Sequence, residues 1–543
     1  MNLQKLFCMV TAAMLLLALP LGCTASETTI SSDDSNAAVE TIQSAESTED
    51  VTVVAETQTE QDVTENTKEA AEQPGAPTLT DMGTPPDGMG NPPDGMGNPP
   101  DGTPPAMPGE QGGTPPDGMG NPPSGGGFGG GAAPGGGTSS LAYTAAIEIA
   151  SADTQENQTY AGTTEDESAL LISTTETVTI NNPTVTKTGD SDGGDNCNFY
   201  GLNAAVLVKD GANAMITGGT ITSDATGANG VFCYGGNGGS NGAAGDGTTV
   251  TISDTVITTT GSGSGGIMTT GGGVTYANNL TVTTSGQSSA PIRTDRGGGW
   301  VYVNGGAYTS NGLGSPAIYS TAEIHVENAT LVSNLSEGVC IEGKNSIELT
   351  DCNLVANNTK CNGNATFYDT IMIYQSMSGD ADSGTSAFTM VGGSLTSKNG
   401  HVFHVTNTNA VITLSGVSIV NEDAENILLS VCADGWSGAD NIATLHASKQ
   451  TLFGTILVGS DSTLTLNLTD GSTFTGAISG NISNAKGTTV SAEVGTVNVT
   501  LDSTSTWTLT GDTYITSFTG DAANVISNGY TLYVNGMALT GTK

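Results

Sequence analysis

One short pattern of apolar and polar positions returns along most of the chain. Its first copy is Ile180-Asn-Asn-Pro-Thr-Val185-Thr, and each copy has a mostly apolar residue, four small or polar residues and a second mostly apolar residue. Later copies begin at Ile216, Ile252, Ala277, Val303, Val326, Leu349, Met390 and Leu414, in steps of 36, 36, 25, 26, 23, 23, 41 and 24 residues. A recurring period in the twenties, with strand-forming residues and no helical pattern, is typical of a β-solenoid. The pattern predicts two short strands in each coil.

A third strand is predicted to follow these two in each coil. Its copies are expected to begin inside the solenoid at Val206, Val231, Ile267, Ile292, Ile318, Val339, Ile373 and Val402. Because side chains alternate along a strand, the residue after each of these should point outward. Those residues are Leu207, Phe232, Met268, Arg293, Tyr319, Cys340, Tyr374 and Phe403. Tyr234, Asp295 and Glu342 lie two positions after Phe232, Arg293 and Cys340 and should share the same outer face. Coils stack about 4.8 Å apart, so these side chains should form a ladder along one flank.

This ladder has two interpretations. It could be an exposed sugar-binding platform, because pyranose rings stack on flat aromatic side chains while Asp and Arg side chains hydrogen-bond to the hydroxyls. The candidate ligand-binding residues are Phe232, Tyr234, Arg293, Asp295, Tyr319, Tyr374 and Phe403. In the other interpretation, long segments such as 186–201 and 235–247 cover the row, and its aromatic residues form additional core. The sequence leaves both interpretations open.

A loop with alternating acids is the candidate metal site. Asp190, Asp192 and Asp195 are separated by Ser and Gly, which supplies several hard oxygens and a tight turn, as calcium requires. The closing Glu of an EF-hand is missing, so a solvated acidic turn is the alternative. His401 and His404 are not a candidate metal pair, because a spacing of three on a strand predicts opposite sides.

The only two arginines of the chain, Arg293 and Arg296, suggest one catalytic hypothesis. A lyase that acts on uronic acids needs a base near the sugar ring, and Arg293 with a calcium site could serve. A surface ion pair between Arg293 and Asp295, which share a face by strand alternation, is the alternative.

The N-terminal region predicts export and anchoring. Lys5 and the apolar run Val10 to Leu21 resemble a signal segment over 1–22, and the run is too short to span a bilayer. Leu19-Pro-Leu-Gly-Cys23 resembles a lipobox, in which Cys23 would be lipidated and would become the mature N-terminus. Residues 23–139 are first acidic and then rich in Pro, Gly and Met, a composition that cannot bury a core. They are predicted to be a disordered tether for a β domain over 140–543.

The charge of the chain limits its partners. The formal net charge is −42, and residues 140–543 alone carry 35 acidic and 10 basic side chains, a balance of −25. With no basic patch, the chain is not expected to bind nucleic acid, and contact with a membrane is expected only through the lipid anchor. Six cysteines follow Cys23 without CxxC spacing, so either disulfides or buried thiols are expected rather than zinc.

Taken together, the coil phrases, the Asn- and Gly-rich turns and two further segments resemble a known group. Gly314-Ser-Pro-Ala-Ile-Tyr319 and Gly338-Val-Cys-Ile-Glu-Gly343 look like strands of right-handed parallel β-helix surface proteins, and Ser505 to Gly511 is similar to their closing coils. These adhesin-like proteins of anaerobic bacteria belong to the pectate-lyase-like superfamily, which includes both enzymes and binders. The resemblance implies a right-handed parallel β-helix.

No catalytic motif of that group can be matched residue by residue, which favours binding over catalysis. We therefore expect a lipid-anchored protein of the cell membrane's outer surface that binds an extracellular polysaccharide or a neighbouring cell surface. The alternatives are a calcium-dependent polysaccharide lyase or another polysaccharide-active enzyme, and a purely structural surface coat.

Overall fold

The computed structural model describes residues 141–192, 194–238 and 244–543. The predicted signal segment, Cys23 and the predicted tether of 23–139 lie outside these residues. The regular secondary structure of the described residues is nearly all β-strand, and the strands stack in parallel from coil to coil. This confirms the predicted all-β solenoid.

The strands form three columns, named here in the order in which each coil visits them. The first-strand column is Asp153–Glu156, Thr177–Asn181, Asn213–Thr217, Thr249–Ser253, Gly273–Thr284, Gly299–Ser310, Glu323–Glu327, Ser346–Thr350, Thr385–Val391, Thr408–Ser415, Asn441–Ser448, Ser462–Thr469, Thr496–Leu501 and Ser517–Thr519. The second-strand column is Thr159–Gly162, Thr184–Lys187, Thr220–Ser223, Val256–Thr259, Thr330–Ser333, Asn353–Ala356, Ser394–Ser397 and Ser418–Asn421, and the long strands Gly273–Thr284 and Gly299–Ser310 run through both columns. Together these strands form one 22-stranded sheet.

The third-strand column is a separate 13-stranded parallel sheet. Its strands are Thr144–Ile149, Glu167–Ser173, Val206–Lys209, Val231–Tyr234, Ile267–Thr270, Ile292–Thr294, Ile318–Ser320, Val339–Glu342, Asp369–Tyr374, His401–Thr406, Ile427–Val431, Thr455–Val458 and Ile478–Ser479. One α-helix, Asp195–Tyr200, precedes the third strand of an early coil.

The last coils have additional short elements. A separate four-stranded sheet contains Thr451–Phe453, Thr473–Gly476, Thr506–Leu509 and Val525–Ile526. Two small sheets contain Ile482–Ser483 with Thr489–Ser491, and Thr513–Ile515 with Leu532–Val534 and Met537–Ala538. A 3-10 turn spans Ala522–Asn524.

The corner between the first and second strands explains the repeated phrase. In each phrase the residue two positions after the first apolar residue has a left-handed backbone, as at Asn182 (φ 52°), Asp254 (φ 52°) and Asn279 (φ 52°). Asn, Asp and Gly tolerate this conformation best, which is why they recur there. Corner side chains also bond between coils, since Asn279 Nδ2 donates to Asp254 Oδ1 at 2.7 Å. The chain therefore turns at the same place in each coil.

Inside the corner, the apolar residues of successive phrases stack into one continuous core. Ile180, Ile216 and Ile252 pair in register and are 0–2% exposed. At the end of the second strands a row of inward hydroxyls replaces the apolar residues, and Ser310 and Ser333 donate to carbonyls of the next turn. Buried turn carbonyls are thereby satisfied without water.

The second-strand column is interrupted late in the solenoid. Ser418–Asn421 and Thr451–Phe453 belong to different sheets, and the Gln450 side chain bonds to both N and O of Val417. A groove of about 430 Å³ lies at this interruption. The break separates the regular coils from the closing coils.

The six cysteines of the β domain are thiols, and five of them are buried. Of the two expectations for these residues, disulfides or buried thiols, the structure has the second. Among the described residues, no helix is long and apolar enough to cross a membrane.

Candidate functional site

The expected exposed ladder on the third-strand flank is covered. Phe232 points away from the main core as predicted, but it is 0% exposed and packs with Leu207 and Met268 in a second cluster. The loop that carries helix Asp195–Tyr200 closes over it, and the Tyr200 ring meets the Tyr234 ring edge-on at 5.7 Å. Of the two interpretations of the ladder, the structure has the covered row at this point. Alternation along a strand does not reveal which loops fold over it.

Arg293 and Asp295 share a face, as predicted, but they are buried beneath that cover. Arg293 NH2 donates to Asp295 Oδ2 at 2.7 Å, and both side chains are about 5% exposed. Arg293 also donates to the Ser288 carbonyl. Burial, partly offset by Arg293, raises the pKa of Asp295 to about 6. The guanidinium is thus engaged within the protein, which gives a catalytic role for Arg293 no support.

A second cluster contains the partly buried Tyr319 and the buried Tyr374. Both phenol hydroxyls donate to the buried Glu342 carboxylate, and Trp436 packs on the Tyr374 ring at 4.9 Å between centroids. Tyr374 pairs with Glu342 rather than with Cys340, because its strand begins at Asp369, before the predicted Ile373. The predicted alignment of this strand was therefore two residues out of register.

Phe403 lies inside the solenoid rather than on its flank. It pairs with Ile371, is 0% exposed and meets the Phe388 ring at 5.9 Å. The neighbouring Val402 also lies in the main core, so strict alternation fails in this strand. The prediction for Phe403 was wrong for this reason.

The same irregularity brings His401 and His404 together instead of placing them on opposite sides. Their Nδ1 atoms both lie 2.7 Å from Ser430 Oγ, and His404 Nε2 lies 3.5 Å from Asp434 Oδ2. Burial lowers the pKa of His401 to about 3, so its imidazole is neutral. His404 and Ser430 are 0% exposed, and Phe367 packs against both imidazoles. Because His404 and Ser430 are closed to solvent, this arrangement gives a catalytic role for the pair no support.

The three candidate calcium ligands are exposed but are used locally. Asp190 Oδ1 accepts from the Thr226 N–H at 2.8 Å, Asp192 Oδ1 accepts from the Gly194 N–H at 2.9 Å, and Asp195 begins the short helix. Among the described residues, no group of three His, Cys, Asp or Glu side chains is placed to hold a metal ion. The calcium site stays a prediction to which this geometry adds no support.

A partly exposed aromatic row lies instead on the first-strand column, on the outer face of the large sheet. Tyr276, Tyr302 and His325 pair in register on three successive coils. Their rings stack with centroids 5.2 Å apart at each step and planes within 14° of parallel. Tyr276 is 43% exposed, and its outer neighbour is the small Thr251. One ring face at the end of the stack is therefore open to a ligand.

Polar and aromatic side chains surround this stack. Trp300 is two residues from Tyr302 on the same face and is partly exposed. Asn278 and Asn304 pair on the other side of the stack and are exposed. We call Tyr276, Tyr302, His325, Trp300, Asn278, Asn304, Glu323, Glu327 and Glu348 the aromatic face. It combines flat rings with hydrogen-bonding groups on an open surface.

Carboxylates occupy one end of the aromatic face. His325 Nε2 lies 2.8 Å from Glu323 Oε1, and His325 Nδ1 lies 3.1 Å from Glu348 Oε2. The side chains of Glu323 and Glu348 are each 48% exposed. Two carboxylates on neighbouring coils thus hold the imidazole that closes the aromatic stack.

The sequence contained a signal for this face that our sequence analysis missed. The residue immediately before each phrase points outward, and at Tyr276, Tyr302 and His325 three successive coils carry rings there. The outward residues of the first strand were not considered as candidates, so this position was missed.

Comparison of the chain with protein-family models, with curated proteins and with solved structures finds no significant match. The stacked parallel strands agree with the resemblance to parallel β-helix proteins at the level of architecture. Membership in the pectate-lyase-like superfamily or among adhesin-like proteins stays a prediction.

Proposed function

We propose that this protein is a cell-surface binding protein that holds an extended carbohydrate polymer along its aromatic face. In this proposal 1–22 direct export, lipid on Cys23 anchors the chain, and 23–139 hold the solenoid away from the membrane. The observation that carries the proposal is the stack of the exposed Tyr276 on the partly exposed Tyr302 and His325, beside Trp300.

The chemistry of these rings suits a sugar. The C–H groups on one side of a pyranose carry slight positive charge and meet the negative face of an aromatic ring, while Asn278 and Asn304 offer amide donors and acceptors to hydroxyls. An aromatic ring with nearby polar groups thus recognises both surfaces of a sugar.

The shape of the face suits a polymer. Small-molecule sites are usually concave and enclose most of their ligand. The groove beside Val417 and the groove beside Lys187 include no residue of the aromatic face. An open face with one ring per coil makes many separate contacts, and a chain along the solenoid axis would add contacts coil by coil.

A glycan array tests the proposal with the full chain and its Tyr276→Ala variant. We expect wild type to bind at least one class of extended glycan, and the variant to bind it about 5- to 30-fold more weakly, equivalent to about 1–2 kcal/mol. Tyr514→Ala is the matched control, because Tyr514 is also exposed and stacks on another tyrosine in the closing coils. Absence of binding to every glycan would favour a structural coat, and equal loss in both variants would contradict a specific role for the face.

A further inference from the structure

The acidic end of the aromatic face indicates which kind of polymer it takes. Glu323, Glu327 and Glu348 are exposed on neighbouring positions of two coils. Among the outward residues of the described first strands from Thr249–Ser253 to Ser346–Thr350, there is no Lys or Arg. Lys344, just before Ser346–Thr350, is paired with Asp382 at 2.8 Å. His325 is shared by Glu323 and Glu348, and Glu327 is a third carboxylate, so the three acidic side chains outnumber the one basic side chain on the face.

We propose that the ligand is a polysaccharide with free amino groups, such as a polymer of unacetylated glucosamine units. This inference rests on the proposed function and names its ligand class. An ammonium group on such a sugar is attracted both to a carboxylate and to the negative face of a neighbouring Tyr or Trp ring. Trp300 pairs with Glu323 on the next coil, and Tyr302 stacks on His325 between two glutamates. Rings and carboxylates thus alternate within the reach of one sugar chain.

The spread of the carboxylates favours a polymer over a single cation. Glu323 and Glu348 lie on adjacent coils, about 5 Å apart along the axis, while Glu323 and Glu327 are four residues apart along one strand, about 13 Å. A single ion could not contact all three at once, in agreement with the absence of a metal-holding group among the described residues. Repeated charges on one chain could meet them in turn.

The field of the whole β domain acts in the same direction. The balance of −25 over residues 140–543 attracts a polycation and repels a polyuronate before contact is made. A neutral polymer would be neither attracted nor repelled by this charge. The long-range field and the local carboxylates therefore select for the same ligand class.

The test compares three hexamers by titration calorimetry with the full chain: glucosamine, N-acetylglucosamine and galacturonic acid. The first two differ in the charge of the amine, which acetylation removes. We expect the glucosamine hexamer to bind at least about 5-fold more tightly than the acetylated one at low salt, and the difference to shrink as salt screens the exposed charges. The galacturonic acid hexamer should bind most weakly.

The matched variants isolate the carboxylates. E323Q/E327Q/E348Q keeps the shape of the face and should abolish the preference for the free amine, while E165Q/E425Q/E493Q removes three other exposed acids and should preserve it. Circular dichroism checks that both variants fold.

Equal binding of the glucosamine and acetylated hexamers would overturn the inference but leave the proposed function standing, as would a preference that survives in E323Q/E327Q/E348Q. Tighter binding of the galacturonic acid hexamer, or binding of a lysine hexamer as tight as that of glucosamine, would overturn it as well. If no glycan binds, both the proposed function and this inference are contradicted.

Discussion

At the scale of single residues, burial decides what the chemically suggestive side chains do. Arg293, Asp295, His404 and Ser430 have the residue types of an active site, yet they are covered and bonded to one another. By contrast, Tyr276 is a plain strand residue by type, and it is 43% exposed. Residue type alone therefore points to a covered flank, because whether a side chain is accessible depends on loops far away in sequence.

The buried Asp295 carboxyl makes a prediction about pH. Its pKa in the folded protein, about 6, lies above the ordinary value of 3.8 because burial disfavours the charged form. The folded state then holds a proton on Asp295 that the unfolded state has lost between about pH 4 and 6. The stability that this group contributes is present below pH 4 and falls as the pH rises through 6.

We therefore expect wild type to lose stability relative to an Asp295→Asn variant, which does not titrate, as the pH rises from 4 to 7. The urea midpoints of both proteins at pH 4, 5, 6 and 7 measure this difference. A difference that stays constant or grows in favour of wild type with rising pH would show that the attraction of Arg293 outweighs burial.

At the scale of elements, the first and second strands follow from the sequence, whereas the third strand follows only in part. Asn, Asp and Gly at the corners fix the turn, and the apolar residues that flank it fix the register, as at Asn279 and Ile252. The third strand also follows a left-handed residue in several coils, as at Gly263 and Ser288, but the connection between Asn353–Ala356 and Asp369–Tyr374 is longer, and the start of that strand was misplaced at Ile373. Consecutive inward residues such as Val402 and Phe403 break the alternation on which the assignment depends.

The corner predicts a difference between two substitutions of Asn279. Valine has a β-branched side chain that clashes in the left-handed backbone, so Asn279→Val should cost about 1–2 kcal/mol plus the lost bond to Asp254. Glycine adopts this conformation freely, so Asn279→Gly should lose little beyond that bond. Thermal denaturation followed by circular dichroism compares the two. Equal melting temperatures for the variants would contradict this account of the repeat.

At the scale of the whole molecule, the solenoid has one closed flank and one open flank. Loops, the short helix and three small apolar clusters cover the third-strand column. The aromatic face of the first-strand column stays open over the coils from Tyr276 to Glu348. A regular repeat thus presents two unlike surfaces, and the open one has the stack of aromatic rings.

The measurement that tests the account most directly is the affinity of the full chain for the glycan that it binds best, with and without Tyr276 and Tyr302. Titration calorimetry should show that Tyr276→Ala/Tyr302→Ala loses at least about 10-fold in affinity, because two of the three rings of the stack are removed. Tyr514→Ala should bind as wild type does. Unchanged affinity in the double variant would contradict the claim that this protein holds its ligand on the aromatic face.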